Sequence, residues 1–417
     1  MKRISISILA TVLLGSFIAG CSQKAATKEG GAAPAGEALA PIPLTTEPIT
    51  LRVLWSGRQD EFNDRVNNEV VRQKLPNVNF EFHSLSENME KLIVSGIKLD
   101  VLNITTKVYY DALRLNLNYD MTELLARQKF DMSRFVPEHV EAIKKLSKDG
   151  KMYAVPDKAN FPYALHALVY NKDIFDRLAV PYPKDNMTWD EVLELAKRVN
   201  RSDNGTQYYG LNLGTTQYLY EANELAYTDA KGTVDLSNPL FEKILRVYQE
   251  SFKISGKELG NVDPFMKDKN IAMFAGNVDK LITEAERQKD TLPNWDIVTF
   301  PRFSDKPVKV PPVNGVYMLA STSEHKAEAL ALIDALLSPE NSKKQEAQYI
   351  NPEFAKKNVN GVKLPKQSLY VPGEFDATGN AVFNNIVRAM NKNNADINTS
   401  LRDFKEQLQK QVDEKKQ

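Results

Sequence analysis

Cysteine is nearly absent: Cys21 is the single one in 417 residues. No disulfide framework can form within the chain, so a hydrophobic core must hold the fold, and this length permits one. Histidine is scarce as well. His83, His139, His166 and His325 stand far apart, with no HExxH and no metal-ligand spacing between them. Net charge is missing, because 54 basic residues balance 54 acidic ones, and with it goes the basic footprint of a nucleic-acid binder. Neither a phosphate-cradling GxxxxGKS/T nor a GxSxG nucleophile elbow occurs. No metal, cofactor or nucleic acid is expected from this chain, and no catalytic constellation is legible in it. Carboxylate pairs such as Asp190-Glu191 do occur, and acids converging from distant positions are the form a glycosidase would take.

Long apolar runs are confined to one place. Lys2 and Arg3 precede an apolar segment from Ile4 to Ala19, too short for a first reading as a membrane span, and it ends in Ile18-Ala19-Gly20-Cys21. That ending resembles a lipobox, in which the cysteine becomes the lipidated first residue of the mature protein. Residues 1–20 are thus expected to be a lipoprotein signal peptide. Residues 21–48 read as the lipidated Cys21 followed by a flexible tether, because Ala, Gly, Pro, Lys and Glu cannot bury enough apolar surface to fold.

Globular patterning begins near Ile49. Ile49, Leu51, Val53 and Trp55 alternate as in a strand, Gly57 breaks the chain, and Phe62, Val66 and Val70 recur at helical spacing. Val78, Phe80 and Phe82 alternate again, Met89, Leu92 and Ile93 predict a helix, and Val101 to Ile104 a further strand. Strand and helix in alternation predict a parallel sheet covered by helices, with ligands bound beyond the carboxyl ends of the strands. Those ends fall after Trp55 and after Ile104. Further on, Thr188 stands three residues before Glu191 as a capping box, ahead of Trp189, Val192, Leu193, Ala196 and Val199 on one helical face. Asp203-Asn204-Gly205 is a turn rather than a calcium loop, since further spaced acids are lacking. NIAMFAG (270–276) and WDIVTF (295–300) read as strands, and the chain beyond Pro339 as mainly helical.

The order GKMYAVP (150–156), YNKDIF (170–175) and TWDE (188–191), followed by MFAGN, NWDIVTFP and NGVYMLASTSEHKAEALALIDALLSPE, resembles the bacterial extracellular solute-binding proteins that serve ABC importers, in particular their carbohydrate-binding branch. The likeness spans nearly everything from Thr50 to about Glu340. It implies an α/β, two-lobed fold of the periplasmic-binding-protein kind, each lobe a mainly parallel sheet flanked by helices, with a ligand cleft and hinge between them. Lobe one would combine 49–155 with 302–344, and lobe two 156–301 with 345–417. It further implies a binding protein and not an enzyme: a monomer, lipid-anchored on the extracellular face of the cell membrane, that closes over a carbohydrate, an oligosaccharide, and hands it to the transmembrane subunits of a permease. A peptide or another small polar solute is the alternative ligand, and a surface polysaccharide-degrading enzyme the alternative activity.

Sugar sites combine aromatic platforms with a few placed polar groups. By position, the candidates are Trp55, Ser56, Arg58 and Gln59 after the first strand, Thr105 and Thr106 after a later one, and Asn160, Phe161 and Tyr163 past the hinge. Tyr218, Tyr220, Glu221, Asn277 and Phe375 complete the set. Trp55 equally continues the apolar alternation into the core. Asn171, Asp173 and Trp189 carry the family signal yet are expected to serve folding, Asn171 as a helix cap. Where many sugar-binding members place an aromatic after the NIAMFAG-like strand, this chain has Asn277-Val278-Asp279.

Overall fold

The alternating segment forms β1 (Ile49–Trp55) in the computed structural model, which describes residues 40–147, 149–159, 166–214, 219–220, 222–229, 231–257, 263–278, 281, 292–303, 315–349, 352–362 and 373–416. Four more strands join β1 in one sheet: β2 (Val78–Ser84), β3 (Val101–Thr105), β4 (Val155–Pro156) and, from far along the chain, β11 (Gly315–Leu319). Their order is β2-β1-β3-β11-β4. β1 runs parallel to both β2 and β3, whereas β11 runs antiparallel to β3 and to β4. Only β11 is therefore reversed.

A second sheet is built from β5 (His166–Asn171), β8 (Tyr209–Leu213), β9 (Ile271–Asn277) and β10 (Trp295–Thr299), in the order β10-β5-β9-β8. β5 opposes β10 and β9, and β8 is parallel to β9. Again one strand is reversed. The two exceptions have one cause: β5 and β11 are the strands that begin just after the chain passes from one sheet to the other. Each enters its new sheet at the edge where the other strands end. Both sheets consequently turn their carboxyl edges toward these connections, and that fixes where a site can lie.

Separate cores back the two sheets. Leu51, Val53, Leu102, Ile104 and Met318 pack with Leu330 and Ile333 of the Lys326–Leu336 helix on the first. On the second, Trp189, Val192, Phe241, Tyr248, Phe383 and Phe404 fill one side, and Val169, Phe274, Trp295, Ile297 and Phe354 the other. Chain order takes the backbone between the cores three times, after Pro156, after Phe303 and after Leu337. The C-terminal Asp376–Asn393 and Ile397–Lys416 helices return to the second core.

The local signals hold as folding devices. Thr188 and Glu191 form a reciprocal capping box at the start of the Trp189–Val199 helix, and Asn171 caps the Lys172–Arg177 helix. Asn204 and Gly205, both at positive φ, turn the short hairpin of β6 (Ser202–Asp203) and β7 (Thr206–Gln207). Among the described residues no helix is long and apolar enough to cross a membrane. Nor does any group of three or more His, Cys, Asp or Glu side chains among them come together to hold a metal ion.

Candidate functional site

Strand register builds the carboxyl edge of the first sheet row by row. Trp55 aligns with Asn103, Asn103 with Tyr317, and Tyr317 with Val155, so the four side chains share one face. In the row beyond, Thr105 aligns with Gly315, and the Asp157 N–H donates to the Gly315 carbonyl at 3.1 Å. Ser56 Oγ donates to Asn103 Oδ1 at 2.6 Å, across the β1–β3 boundary. Arg58 is exposed and pairs with Asp60 at 3.0 Å, Gln59 opens the Gln59–Val66 helix exposed to solvent, and Thr105 is partly exposed where Thr106 is buried. The predicted residues of this strand end are thus brought together.

Trp55 settles between its two readings atom by atom. Its ring is core, 4% exposed, with centroids 5.6 Å from Phe62 and 6.2 Å from Tyr317. Its Nε1, however, is buried with no hydrogen-bond partner among the described residues. It therefore offers a donor and not a stacking face.

Gly57, Glu61, Arg65, Asp157 and Gly315, none of them assigned to a site from the sequence, stand at or near these strand ends. A side-chain carbon at Gly57 would lie 2.8 Å from Trp55 Nε1 and closer still to Glu61 Oε2, and one at Gly315 would run into Asp157 Oδ2. Arg65, one helical turn beyond Glu61, approaches it at 4.0 Å. Burial pushes the Asp157 carboxyl above the usual carboxylate range, with the charges of Lys158 and Arg65 pulling the other way. A polar Asn103 inside the apolar run VLNIT was the one signal available in the sequence. The rest depends on register, which no local pattern carries.

The second sheet contributes His166 and Asn277, aligned across β5 and β9 at their cleft-side ends. The His166 ring lies edge-on to Phe300 at 6.5 Å. Burial, aided by the nearby positive charge of Lys107, lowers its pKa to about 3. Lys107 follows β3 of the first sheet, so the two carboxyl edges meet here. They meet again where Arg114 reaches Glu374 at 3.7 Å, and where burial, with Glu374 and Asp376 close by, raises the Tyr110 phenol to about 12.

Phe375 requires a correction. It is 7% exposed within the second core, with Lys416 Nζ 5.9 Å from its ring centre, so it packs there instead of presenting a platform; Tyr220, 1% exposed, does the same. Val278, at the position of the missing aromatic, is also core at 1% exposure. Cys21, Asn160, Phe161, Tyr163, Tyr218 and Glu221 lie outside the described residues. A groove of about 340 Å³ between the Trp189–Val199 and Leu240–Ser255 helices is lined by charges that largely pair with their own neighbours, Lys197 with Glu194 and Arg246 with Glu242.

Two α/β sheets with separate cores, crossing connections and facing carboxyl edges define the two-lobed fold of solute-binding proteins. Residues 130–343 match the family model described as bacterial extracellular solute-binding protein. The chain belongs to that family. No curated protein sequence matches it. Among solved structures it resembles a sugar transporter protein from Rhizobium etli in an open conformation, at 22% identity over 86% of this chain and 99% of that one, with a TM-score of 0.64. An ABC substrate-binding protein from Listeria monocytogenes in complex with cycloalternan follows at 16% identity, 88% and 99% coverage and a TM-score of 0.69. The sugar-binding protein MalE from Xanthomonas citri is similar at 14% identity, 88% and 98% coverage and a TM-score of 0.67.

Proposed function

We propose that this protein is a lipid-anchored extracellular receptor of an ABC importer, which captures an oligosaccharide in the cleft between its lobes and delivers it to the permease by hinge closure. One observation carries the reading: the carboxyl edges of both sheets converge, with Lys107 facing His166 and Arg114 facing Glu374. A solute held there touches both lobes, so binding favours the closed arrangement. The lobes are 49–155 with 302–344, and 156–301 with 345–417. Ser56, Arg58, Gln59, Thr105 and Asn277 line the cleft, and Asn160, Tyr163, Tyr218 and Glu221 are assigned to it by position in the chain.

Carbohydrate is favoured because relatives of this fold were solved with cycloalternan, mannotriose and D-mannitol. The lipid anchor rests on the Ile18-Ala19-Gly20-Cys21 ending alone. No chemistry on the solute is involved, and the receptor works as a monomer.

A thermal-shift screen of the full chain in mild detergent tests the ligand class, using neutral oligosaccharides, monosaccharides, polyols and peptides, with calorimetry on each hit. A solute that binds only the folded state stabilises it by about 2.7 kcal/mol at a hundredfold excess over its Kd. A shift with oligosaccharides alone supports the reading. A shift with peptides alone refutes the carbohydrate assignment, and products released from an oligosaccharide refute the receptor. Cys21→Ser should leave affinity unchanged and free the protein from membranes.

A further inference from the structure

The stretch ahead of β1 is held more firmly than its composition predicts. Pro41, Pro43 and Pro48 bring no N–H that would need a partner. Ile42 and Leu44, alternating with the exposed Pro41 and Pro43, pack against the first core. Side chains from the first sheet's surroundings take up the backbone between them. Arg127 Nε donates to the Ala40 carbonyl at 3.2 Å, Gln128 Nε2 to the Ile42 carbonyl at 2.8 Å, and Asn77 Nδ2 to the Thr46 carbonyl at 2.8 Å. In the other direction, the Thr45 N–H donates to Glu328 Oε1 at 2.7 Å. Glu328 is 6% exposed in the first turn of the Lys326–Leu336 helix, and a buried carboxylate needs such a donor.

The place of this segment decides what it can do. It runs from the end of the Thr122–Arg127 helix, past the start of the Lys326–Leu336 helix, to the start of β1. All three lie at the amino edge of the first sheet. Tyr119, just ahead of the first helix, donates its N–H to the carbonyl of Leu319, which pairs with Val101 at the start of β3. Ser323, just ahead of the second, donates from Oγ to Asp100 Oδ1, the residue before β3. The cleft borders the opposite, carboxyl edge, which lies the length of β1 away, about 23 Å for its 7 residues. Between the contacts of Ala40 and Thr46 the chain spans at most about 20 Å, so a chain that departs at Ala40 leaves the fold at a different point from one that departs at Ile49.

We propose that Ala40–Pro48 is a clasp that fastens the membrane tether to the far end of lobe one, so that in the solute-free receptor this end faces the lipid headgroups and lobe two stands away from them. The proposal rests on the lipid-anchor reading above. Residues 22–39 are then the free tether, with a root-mean-square reach of about 21–25 Å for a flexible chain of that length. That reach is about the depth of the first sheet, so the amino edge is kept nearer the bilayer than the cleft is. Every partner of the clasp belongs to lobe one. Closure therefore leaves the clasp in place, and a pull on the tether is taken up by lobe one and not by the connections between the lobes.

Energy transfer on the anchored protein tests the orientation. Cys21, the single cysteine, is taken up by the anchor, so Ala126→Cys and Lys257→Cys each provide one labelling position. Ala126 is exposed beside the clasp, and Lys257 lies over the ring of Tyr209, the first residue of β8, at the far end of lobe two. In vesicles of phosphatidylcholine and phosphatidylglycerol that carry a headgroup acceptor, transfer from position 126 should be at least twice as efficient as from position 257. A non-specific protease with mass spectrometry reads the clasp separately. Cuts should fall within 22–39 at least tenfold faster than within 40–48, and Ile42→Ser combined with Leu44→Ser should abolish the difference. Equal cutting of the two stretches in the wild type overturns the clasp, as does a double variant protected as well as the wild type. Equal transfer from the two positions overturns the orientation and leaves the anchor standing. A wild type that does not float with the vesicles overturns the anchor and the orientation together.

Discussion

Asn171, the asparagine of YNKDIF, is the sharpest place to separate a folding signal from a binding one. It is 2% exposed at the end of β5. Its Oδ1 accepts from the Asp173 N–H at 3.1 Å as a helix cap, and its Nδ2 donates to the Lys269 carbonyl at 3.3 Å, tying the strand to the loop before β9. Asn171→Ala removes the cap, for about 1 kcal/mol. It also removes the Nδ2 donor to the Lys269 carbonyl, for about 0.5–1.5 kcal/mol more. Together about 1.5–2.5 kcal/mol should lower the thermal midpoint by roughly 2–3 °C in a protein of this size, at about 2 cal/mol/K of unfolding entropy per residue. Asn171→Ser keeps a cap acceptor on a side chain too short for Lys269, and should fall midway. Scanning calorimetry gives the midpoint, and titration calorimetry gives the affinity for whichever solute the screen identifies. Affinity should stay within twofold. A tenfold loss of affinity with an unmoved midpoint would refute the reasoning, because Asn171 would then act on the ligand and not on the fold.

Other perturbations separate charge from packing. Asp157 is held above the ordinary carboxylate range, so the folded state binds more protons than the unfolded one and loses stability as pH rises through that range. Asp157→Asn should therefore raise the midpoint at pH 7, and the gain should vanish near pH 3 in a pH series; a variant less stable at pH 7 would mean that Arg65 and Lys158 outweigh burial. His166 has the opposite sign: with its pKa lowered to about 3, the folded state takes up fewer protons, and stability falls as pH drops below about 6.5. In a denaturant titration at each pH, His166→Asn should flatten that fall, and an unchanged pH profile would dismiss the imidazole as its source. For Arg114 and Glu374, each about a third exposed and 3.7 Å apart, a double-mutant cycle should give a coupling of about 0.5–1 kcal/mol that shrinks in molar salt. A coupling that salt leaves intact would contradict a partly solvated ion pair.

The fold was legible because its signals are local and redundant. Alternation at Ile49–Trp55, the Thr188–Glu191 box and the Asn204–Gly205 turn each specify their element from within a few residues, and each appears in the structure. The strand ends read after Trp55 and Ile104 were legible for the same reason, the second falling one residue short of where β3 ends, and they gathered Ser56, Arg58, Gln59 and Thr105 in one region. What escaped was whatever depends on register between distant segments. Asp157 and Gly315 are separated by most of the second sheet in sequence, and only the pairing of β4 with β11 sets one against the other. Aromatics misled in the other direction. Phe375 and Tyr220 carry the composition of a sugar platform, but a large ring contributes more to a core than to a surface, and both are buried.

That same pairing bears on how binding would be coupled to movement. The chain leaves the first sheet after Pro156 and returns to it at Gly315, and the Asp157 N–H donates to the Gly315 carbonyl at 3.1 Å. Two of the three passages between the cores are therefore bonded to each other at the edge of the first sheet. A rotation of one lobe against the other bends the backbone of both passages, and this bond lets them bend as one. The Asp157 carboxylate also lies against Gly315, where an added side-chain carbon would run into Oδ2. Gly315→Ala should on this argument alter the extent of closure, as measured by small-angle scattering with and without ligand, whereas Glu61→Gln, which sits on a helix away from the connections, should leave the closed dimensions unchanged.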